Sequence, residues 1–470
     1  MTNGSTAAVG LKRVKMRMIT AVAVMFTLTC SGSFGMEDII GSSGPGLTLL
    51  MLLVLPFFWA LPMALTSAEL GSALPEEGGF YRWVRRGMGE FWGFQAGWWW
   101  QLSLYVDTAV YVALTLDYVA GWFDMPGWVR WLIGFVIILI FAYVNIRGID
   151  ITGWVLTVIQ VIVIVPFVTL VILGFAKAQV NPFSPFIAEG ESFWGAMGLG
   201  LAVAMWMYSG YESMSQLAGE IERPQYVIPR ALLINMGLVI AFYVLTTAAG
   251  YAAVGDWSNW NTEGTSTSID FIEAGRVVGG GAVAGLLIAA LIAGNLGLFT
   301  GYLATGSRPA YVLSKDKLFF RWFGKEHPKY GTPYRSILFM ALLNSVLILG
   351  SFQFLIVIDV FLLMFAYMTI LTAMVVLRVK EPDLDRRFRI PLPTWALALW
   401  FVPFFGIAIV ALVTNGWAYF VGGCVGVLSG PVAYLLFKSK YHGVELPDTL
   451  TVSRDAAGAL PLPAPAAEEV

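Results

Sequence analysis

Charged side chains are scarce in this sequence. Lys, Arg, Asp and Glu together make up 12% of its 470 residues, while 58% of the residues are hydrophobic. Soluble globular proteins contain about 25% charged residues. The composition therefore predicts a polytopic membrane protein whose surroundings are a lipid bilayer, and we expect no nucleic-acid partner.

Cysteine and histidine are almost absent, with two residues of each. Cys30 and Cys424 both lie in apolar stretches, which gives no disulfide framework and no paired-cysteine metal site. His327 and His442 lie in polar connecting segments, which argues against zinc chemistry or a histidine proton relay within the membrane. Because no nucleophile or glycine-rich phosphate loop appears either, we expect no cofactor, no metal site and no enzymatic activity.

Long apolar runs, in contrast, are abundant. A membrane-spanning helix needs about 20 mostly apolar residues, and about twelve such runs follow one another along the chain. Their predicted ranges are 17–42, 46–70, 91–122, 128–146, 154–175, 193–219, 231–254, 277–306, 335–350, 354–379, 395–414 and 417–437. The predicted fold is an all-α polytopic membrane protein with about 12 transmembrane helices.

The distribution of the basic residues predicts how the chain is oriented across the membrane. The predicted outer segments carry little beyond Arg130, Lys177 and Arg276, whereas the rest of the 28 Lys and Arg fall in predicted inner segments. Cytoplasmic loops are enriched in Lys and Arg. We therefore expect a cell membrane protein, inner or plasma, with cytoplasmic termini: an N-terminal segment, 1–16, that is not a signal peptide, and a disordered tail, 441–470.

Two of the predicted helices are interrupted by Ser-Gly pairs, helix 1 at Cys30–Gly35 and helix 6 at Tyr208–Glu212. The two helices lie five apart and would cross the membrane in opposite directions. Discontinuous helices at equivalent positions of two inverted repeats are typical of secondary transporters. The sequence thus predicts a first inverted repeat over 17–175 and a second over 193–379, with helices 11 and 12 over 395–437 outside both.

The two interruptions would expose complementary backbone groups. The groups concerned are the amides of Ser31, Gly32 and Ser33 and the carbonyls of Met207, Tyr208 and Ser209. Amides at a helix N-terminus attract a carboxylate, and carbonyls accept hydrogen bonds from an ammonium group. The pair predicts a site for an α-amino acid zwitterion. The alternative is that these small residues only allow helices to pack closely.

Aromatic and acidic residues extend this predicted site. The aromatic candidates, which could gate the cavity or stack on a cation, are Phe34, Trp206, Tyr208 and Tyr211. An acidic residue within a membrane span is by default a functional candidate. The best acidic candidates for the substrate path are Glu37, Asp107 and Glu212.

Four other acidic residues have different predicted roles. Glu69 precedes the turn LPEEGG and is expected to brace an intracellular gate. Glu212, already named above, lies one turn beyond the break and is also assigned a gating or proton-linked role. Asp38, Asp117 and Asp359 are expected near a membrane interface, where water solvates them.

Three motifs resemble those of the amino acid-polyamine-organocation superfamily. AELGSALPEEGGFYRWV (Ala68–Val84) is similar to its second helix and first inner loop. WMYSGYESMSQLAGEIERPQYVIPRA (Trp206–Ala231) is similar to its sixth helix, and TGSRPAYVLSKD (Thr305–Asp316) to the end of its eighth. The resemblance covers nearly the whole chain and implies the fold of LeuT, with a 5+5 inverted repeat and discontinuous helices 1 and 6.

The resemblance also bears on the substrate. CSGSF departs from the family's usual Gly-Ser-Gly opening because Cys30 replaces the first glycine. The following Glu37–Asp38 pair looks more like the polyamine and cationic amino acid uptake branch, so Glu37 could select a basic substrate. Trp206 matches the aromatic that caps the substrate in the family's arginine-agmatine exchanger, and Glu212 matches its acidic residue after the break.

The resemblance gives less information about the ion that is coupled to transport. Some proton-coupled members carry a Lys three residues before a proline of helix 5, where this chain has Val163 before Pro166. Sodium coupling would need oxygen ligands, for which Thr300, Thr305 and Ser307 are weak candidates, so we expect H⁺ rather than Na⁺.

We expect a secondary active transporter, monomer or homodimer, that moves amino acids by proton symport or exchange. The alternatives are a polyamine permease for putrescine or spermidine and, in another class, a membrane nutrient sensor that does not transport.

Overall fold

The computed structural model describes residues 18–30, 32–74, 78–122, 125–212, 224–262 and 267–443. Within these ranges the regular structure is helical, apart from one isolated β-bridge between Trp260 and Ile269. The α-helices are α1 (Met18–Thr29), α2 (Glu37–Ser43), α3 (Pro45–Phe58), α4 (Ala60–Ala73), α5 (Gly79–Met88), α6 (Glu90–Trp122), α7 (Gly127–Arg147), α8 (Ile149–Ala176), α9 (Phe193–Met207), α10 (Pro224–Val254), α11 (Phe271–Lys315), α12 (Tyr334–Leu347), α13 (Phe352–Lys380), α14 (Thr394–Thr414) and α15 (Trp417–Tyr441). Short 3₁₀ turns lie at Trp257–Asn259 and Arg321–Gly324.

Nine helical stretches among the described residues are long and apolar enough to cross a membrane, with α3 and α4 counted as one stretch. This confirms an all-helical, multi-pass membrane protein. The other predicted spans correspond to α1 with α2, to α9 and to α12. With 15 residues in α9 and 14 in α12, these helices are shorter than the roughly 20 residues a straight crossing needs.

Burial separates central helices from peripheral ones. The most apolar windows of α6 and α13 are each 78% buried, whereas those of α7 and α15 are 22% and 17% buried. Many exposed side chains of α15 are apolar, such as those of Val425 and Leu435. Apolar side chains turned outward on a membrane helix contact lipid, so α6 and α13 form the interior of the bundle and α7 and α15 its rim.

The predicted interruption of helix 1 is present. α1 ends at Thr29 and α2 begins at Glu37, with Gly32 at φ +115° and Gly35 at φ +92° between them. L-residues with a side chain rarely adopt such angles, so the two glycines allow the chain to leave the helix. In the sixth predicted span α9 ends at Met207, Gly210 has φ +95°, and residues 213–223 lie outside the described residues.

The helices that carry these two features touch closely. The hydroxyl of Ser43, the last residue of α2, donates a 2.6 Å hydrogen bond to the carbonyl of Ala196 on α9. A Cβ atom added to Gly200 would lie 1.9 Å from the same hydroxyl oxygen. Small residues in contact allow two helix backbones to approach each other in a membrane, and here they hold α2 against α9.

Several predicted helix bounds differ from the structure, and two of the differences have an identifiable local cause. The predicted span 46–70 is divided between α3 and α4 at Trp59, because Pro62 has no amide hydrogen to continue the helical ladder across this point. The predicted span 277–306 falls within α11, which is kinked at Gly280, where φ is +69° and the backbone is not helical. The segment before the kink begins at Phe271 because Asp270 caps it by accepting a 2.7 Å hydrogen bond from the Glu273 amide. Hydropathy cannot detect either effect.

Candidate functional site

A cavity with an empty volume of about 340 Å³ lies between the break of helix 1 and the end of α9. Gly32 and Phe34 contribute to its wall from the break, and Trp206, Met207 and Ser209 contribute from the other side. The two interruptions identified in the sequence therefore border one space.

A second cavity, with an empty volume of about 240 Å³, adjoins the first. Four residues line both cavities: Tyr111, Trp206, Ser209 and Tyr302. The wall of the second cavity carries three carboxylates, those of Asp107, Glu212 and Asp359. Among the described residues no Lys or Arg lines either cavity, so the combined space is neutral at one end and acidic at the other.

Asp107 is held by two aromatic residues at the junction of the cavities. The indole N–H of Trp206 donates to one carboxylate oxygen at 2.7 Å, and the Tyr111 hydroxyl donates to the other at 3.1 Å. The Tyr111 ring stacks on Trp206 at 5.6 Å and on Tyr302 at 5.5 Å between centroids. The result is a fixed carboxylate beside three aromatic rings, an arrangement that suits an organic cation.

Asp359 is buried inside the bundle, and the interpretation of it as a solvated residue is wrong. Its residue exposure is 1%, and its carboxylate accepts a 2.5 Å hydrogen bond from the Ser103 hydroxyl of α6. α13 is one of the most buried helices, so a carboxylate seven residues into it reaches the interior. Asp38 is also buried, with 3% exposure and a hydrogen bond from Thr262, so the solvated interpretation is wrong for it as well. Asp117 pairs with Arg130, and its side chain is 24% exposed.

Glu37 lies outside both cavity walls and is engaged by the protein itself. Its carboxylate accepts hydrogen bonds from the Tyr118 hydroxyl at 2.6 Å, the Gly35 amide at 2.8 Å and the Phe271 amide at 3.3 Å. These bonds connect the start of α2 with α6 and α11. Glu37 thus fastens three helices together at this point.

Several other candidates also point away from the cavities. The Ser33 hydroxyl is hydrogen-bonded to Thr246 of α10, and the Tyr208 hydroxyl donates a 2.6 Å hydrogen bond to the Leu52 carbonyl of α3. Tyr211 is 1% exposed and lines neither cavity. Ser31 lies outside the described residues.

Glu69 belongs to a buried ionic cluster at the arginine-rich end of the bundle. Arg378 donates to its carboxylate with Nε at 2.9 Å and also with a terminal nitrogen, and the Nε of Arg386 lies 3.2 Å from Glu69. The Ile390 amide donates to the same carboxylate at 2.8 Å. Burial lowers the pKa of Arg386, which Glu69 opposes. The cluster fixes the connection between α13 and α14 against the end of α4.

A second ionic cluster joins two of the sequence motifs. The carboxylate of Asp316, just after α11, accepts hydrogen bonds from the Tyr81 hydroxyl at 2.5 Å, from Arg82 at 2.8 Å and from Arg85 at 3.0 Å, all on α5. Burial, and next the charge of Asp316, raises the pKa of Tyr81 above its ordinary range. The first and third motifs therefore meet in space and stabilise the same end of the bundle.

The weak sodium candidates are each hydrogen-bonded within their own helix. The hydroxyls of Thr300, Thr305 and Ser307 each donate to a carbonyl of their own helix, at 2.6, 3.2 and 2.8 Å. Within the described ranges, no three His, Cys, Asp or Glu side chains gather closely enough to hold a metal ion. These hydroxyls satisfy the helix in which they lie.

Asn295 of α11 is a cavity residue that the sequence analysis missed. It is 3% exposed, lines the first cavity, and its amide nitrogen has no hydrogen-bond partner among the described residues. A buried donor without a partner costs about 1–3 kcal/mol. A polar residue within the small-residue run AGNLG was the signal that could have drawn attention to it.

Buried acids and an interrupted helix beside an internal cavity of an apolar helical bundle are typical of membrane transporters of small molecules. The family model described as amino acid permease matches residues 17–428. The chain belongs to this family, within the amino acid-polyamine-organocation superfamily, as the motifs suggested.

The chain is similar to transporters from plants and bacteria. It is 32% identical over 397 residues to a probable polyamine transporter of Arabidopsis thaliana, which covers 83% of this chain and 77% of the relative. It is 31% identical over 394 residues to the polyamine transporter PUT1 of Oryza sativa subsp. japonica, covering 82% and 71%. It is 25% identical over 443 residues to the serine/threonine exchanger SteT of Bacillus subtilis, covering 92% and 98%.

Proposed function

We propose that this protein is a secondary active transporter of polyamines. The observation that carries the proposal is the convergence of Asp107, Glu212 and Asp359 on one cavity whose described wall contains no basic residue. A buried carboxylate in a membrane protein is costly unless a cation balances it. A polyamine supplies several positive charges and no carboxylate of its own.

The relatives support the same substrate class. Two of the similar plant proteins carry the name polyamine transporter, at 31% and 32% identity over most of the chain. The sequence alone favoured an amino acid because it showed the helix breaks but could not show that three acids from distant parts of the chain line one cavity. For this reason polyamine transport becomes the first proposal and amino acid transport the second.

Amino acid transport has an observation of its own. The first cavity is neutral where it meets the helix 1 break, and Asn295 adds a buried amide without a partner among the described residues. Such a donor, together with backbone amides near Gly32, suits a substrate carboxylate. SteT, named as a serine/threonine exchanger, is similar over nearly its full length. A cationic amino acid would use both ends of the space.

The proposed architecture has twelve spans in the 5+5 inverted repeat of the LeuT fold. The first repeat covers 17–175 and the second 193–379, with 395–437 as the last two spans. Both termini are proposed to be cytoplasmic, which puts the ionic clusters of Glu69 and Asp316 on the cytoplasmic side. Glu69 then braces the intracellular gate, and Glu212 retains its proposed gating or proton-linked role.

For coupling we propose protons rather than sodium, with uptake by symport or exchange. The sodium candidates Thr300, Thr305 and Ser307 each donate their hydroxyl hydrogen to a carbonyl of their own helix. Acids in the second cavity supply groups that can bind protons. The proposed partners remain the substrate and the lipid bilayer.

Uptake into proteoliposomes tests the proposal. Purified protein is reconstituted and given radiolabelled putrescine, spermidine, serine or arginine, with an imposed pH gradient, a sodium gradient or neither. We expect putrescine uptake driven by the pH gradient and lost in Asp107→Asn, while Asp117→Asn, which neutralises an acid outside both cavities, retains it. Uptake of amino acids without putrescine would establish the second candidate, and binding without uptake would indicate a sensor.

A further inference from the structure

Two carboxylates of the second cavity, one carried by α6 and the other by α13, are held at different levels along α6. Ser103 of α6 donates to the carboxylate of Asp359, and Asp107 lies four residues later on α6. Positions four residues apart share a helix face and are separated by about 6 Å along the axis. The carboxylate of Asp359 is therefore anchored about one helical turn from the position where α6 carries Asp107, and both line the cavity.

Protein cations do not balance these two acids. Neither Asp107 nor Asp359 forms a salt bridge with a described Lys or Arg, although their exposures are only 5% and 1%. Each accepts hydrogen bonds from neutral groups, Trp206, Tyr111 and Ser103. Neutral donors alone compensate a buried carboxylate only partly, so a cationic occupant would stabilise both positions.

The wall of the cavity gives a second sign of an occupant. Trp100 lines the second cavity and is 2% exposed, and its indole N–H has no hydrogen-bond partner among the described residues. Water that accompanies an ammonium group would supply the acceptor. Leu104 and Leu363 line the same cavity and offer apolar surface for a methylene chain between two charged ends.

We propose that Asp107 and Asp359 bind the two ends of an α,ω-diamine and that Asp359 selects its length. The inference rests on the proposed transport of polyamines. The first ammonium lies at Asp107 beside Trp206 and Tyr111, and the second reaches Asp359 and Ser103. Five single bonds of about 1.5 Å in zigzag separate the nitrogens of a four-carbon diamine by about 6 Å, which matches the one-turn spacing along α6.

Competition binding compares a diamine with a monoamine of the same length. Radiolabelled putrescine is displaced from purified protein by putrescine or by n-butylamine. In the wild type we expect putrescine to bind at least about 30-fold more tightly, as expected for a second buried charge pair. Asp359→Asn should remove most of this ratio by weakening putrescine while butylamine changes less than about twofold. Asp107→Asn should weaken both ligands.

Two further variants separate recognition from a folding defect. Asp359→Glu extends the carboxylate by one methylene, so we expect its preference to move from putrescine toward 1,3-diaminopropane, a change that a purely structural role would not produce. Asp117→Asn, the matched neutralisation at the far end of α6, should keep the wild-type ratio. Equal losses for putrescine and butylamine in Asp359→Asn, with unchanged length preference in Asp359→Glu, would overturn the inference. Wild-type protein that binds amino acids but no diamine would overturn the proposed function and the inference with it.

Discussion

The indole N–H of Trp206 donates a 2.7 Å hydrogen bond to the carboxylate of Asp107, across 99 positions of the sequence. Trp206 is the second-last residue of α9, one residue before that helix ends, and Asp107 lies in the middle of α6. The bond therefore ties the end of the broken helix to one of the most buried helices. A substrate that draws Asp107 toward itself would act directly on the end of α9.

Separating the charge of Asp107 from its hydrogen bond tests this relationship. Asp107→Asn keeps an oxygen that can accept from Trp206 but removes the charge, and we expect diamine affinity to fall at least about tenfold. Trp206→Phe keeps an aromatic face beside Tyr111 but removes the N–H, so the loss should be smaller than in Trp206→Ala. Equilibrium binding of radiolabelled putrescine measures all three. Equal losses in Trp206→Phe and Trp206→Ala would assign the whole effect to the hydrogen bond.

The sequence could identify parts of this site but not their partnerships. Trp206 and Asp107 were candidates because an aromatic residue at a helix break and an acid in an apolar run are each unusual. Asp359 was assigned to an interface because its apolar neighbours look the same at the end of a span and in its interior. Only the packing of α13 against α6 distinguishes these cases, and packing between helices leaves no mark in local hydropathy.

The fold was predictable to the extent that it depends on long apolar runs and on glycine. Hydropathy gave the spanning helices, and the Ser-Gly pair correctly marked the break before Glu37. Cap residues such as Asp270 and helix divisions such as the one at Trp59 shifted the bounds. The role of Glu37 was beyond prediction, because its hydrogen-bond donors Tyr118 and Phe271 come from distant parts of the chain.

The buried cluster around Glu69 should be among the most sensitive points for stability. Glu69→Gln leaves Arg378, whose side chain has 0% exposure, without its charged partner. Removing one member of a buried ion pair costs about 3–5 kcal/mol, so we expect a large drop in melting temperature in detergent. Glu69→Gln leaves both Arg378 and Arg386 without their carboxylate, whereas the double variant Glu69→Leu with Arg378→Met leaves only Arg386, so the double variant should be less destabilised than Glu69→Gln.

The surface pair Arg387–Asp385 provides the comparison for that experiment. Its charged atoms are 3.8 Å apart and both side chains are exposed, and exposed pairs contribute about 0–1 kcal/mol. Arg387→Ala should therefore leave the melting temperature nearly unchanged. A similar small effect for Glu69→Gln would mean that the cluster does not hold the connection between α13 and α14.

Glu37 should act on stability rather than on substrate choice. Glu37→Gln places an amide near the Gly35 N–H and the Tyr118 hydroxyl, so one of the three hydrogen bonds at the start of α2 is weakened or lost, at a cost of about 1–3 kcal/mol. We expect a lower melting temperature and an unchanged ratio of putrescine to butylamine affinity. Tyr118→Phe, which removes one donor, should show the same pattern. A selective loss of diamine affinity in Glu37→Gln would restore the sequence-based role of Glu37 as a reader of positive charge.

The contact between α2 and α9 gives a test of the packing that brings the two interrupted helices together. In Gly200→Ala the new methyl would lie 1.9 Å from the Ser43 hydroxyl oxygen, so the helices must separate or Ser43 must lose its bond to Ala196. Overpacking of this kind costs about 1–3 kcal/mol. Adding Ser43→Ala removes the clashing oxygen and leaves the Cβ of residue 43 at 3.3 Å, so the double variant should recover part of the melting temperature lost in Gly200→Ala.

Gly406→Ala on α14, where an added Cβ meets nothing within 4 Å, is the matched control and should melt like the wild type. If Gly200→Ala also melts like the wild type, the close approach of α2 to α9 is not required for the fold.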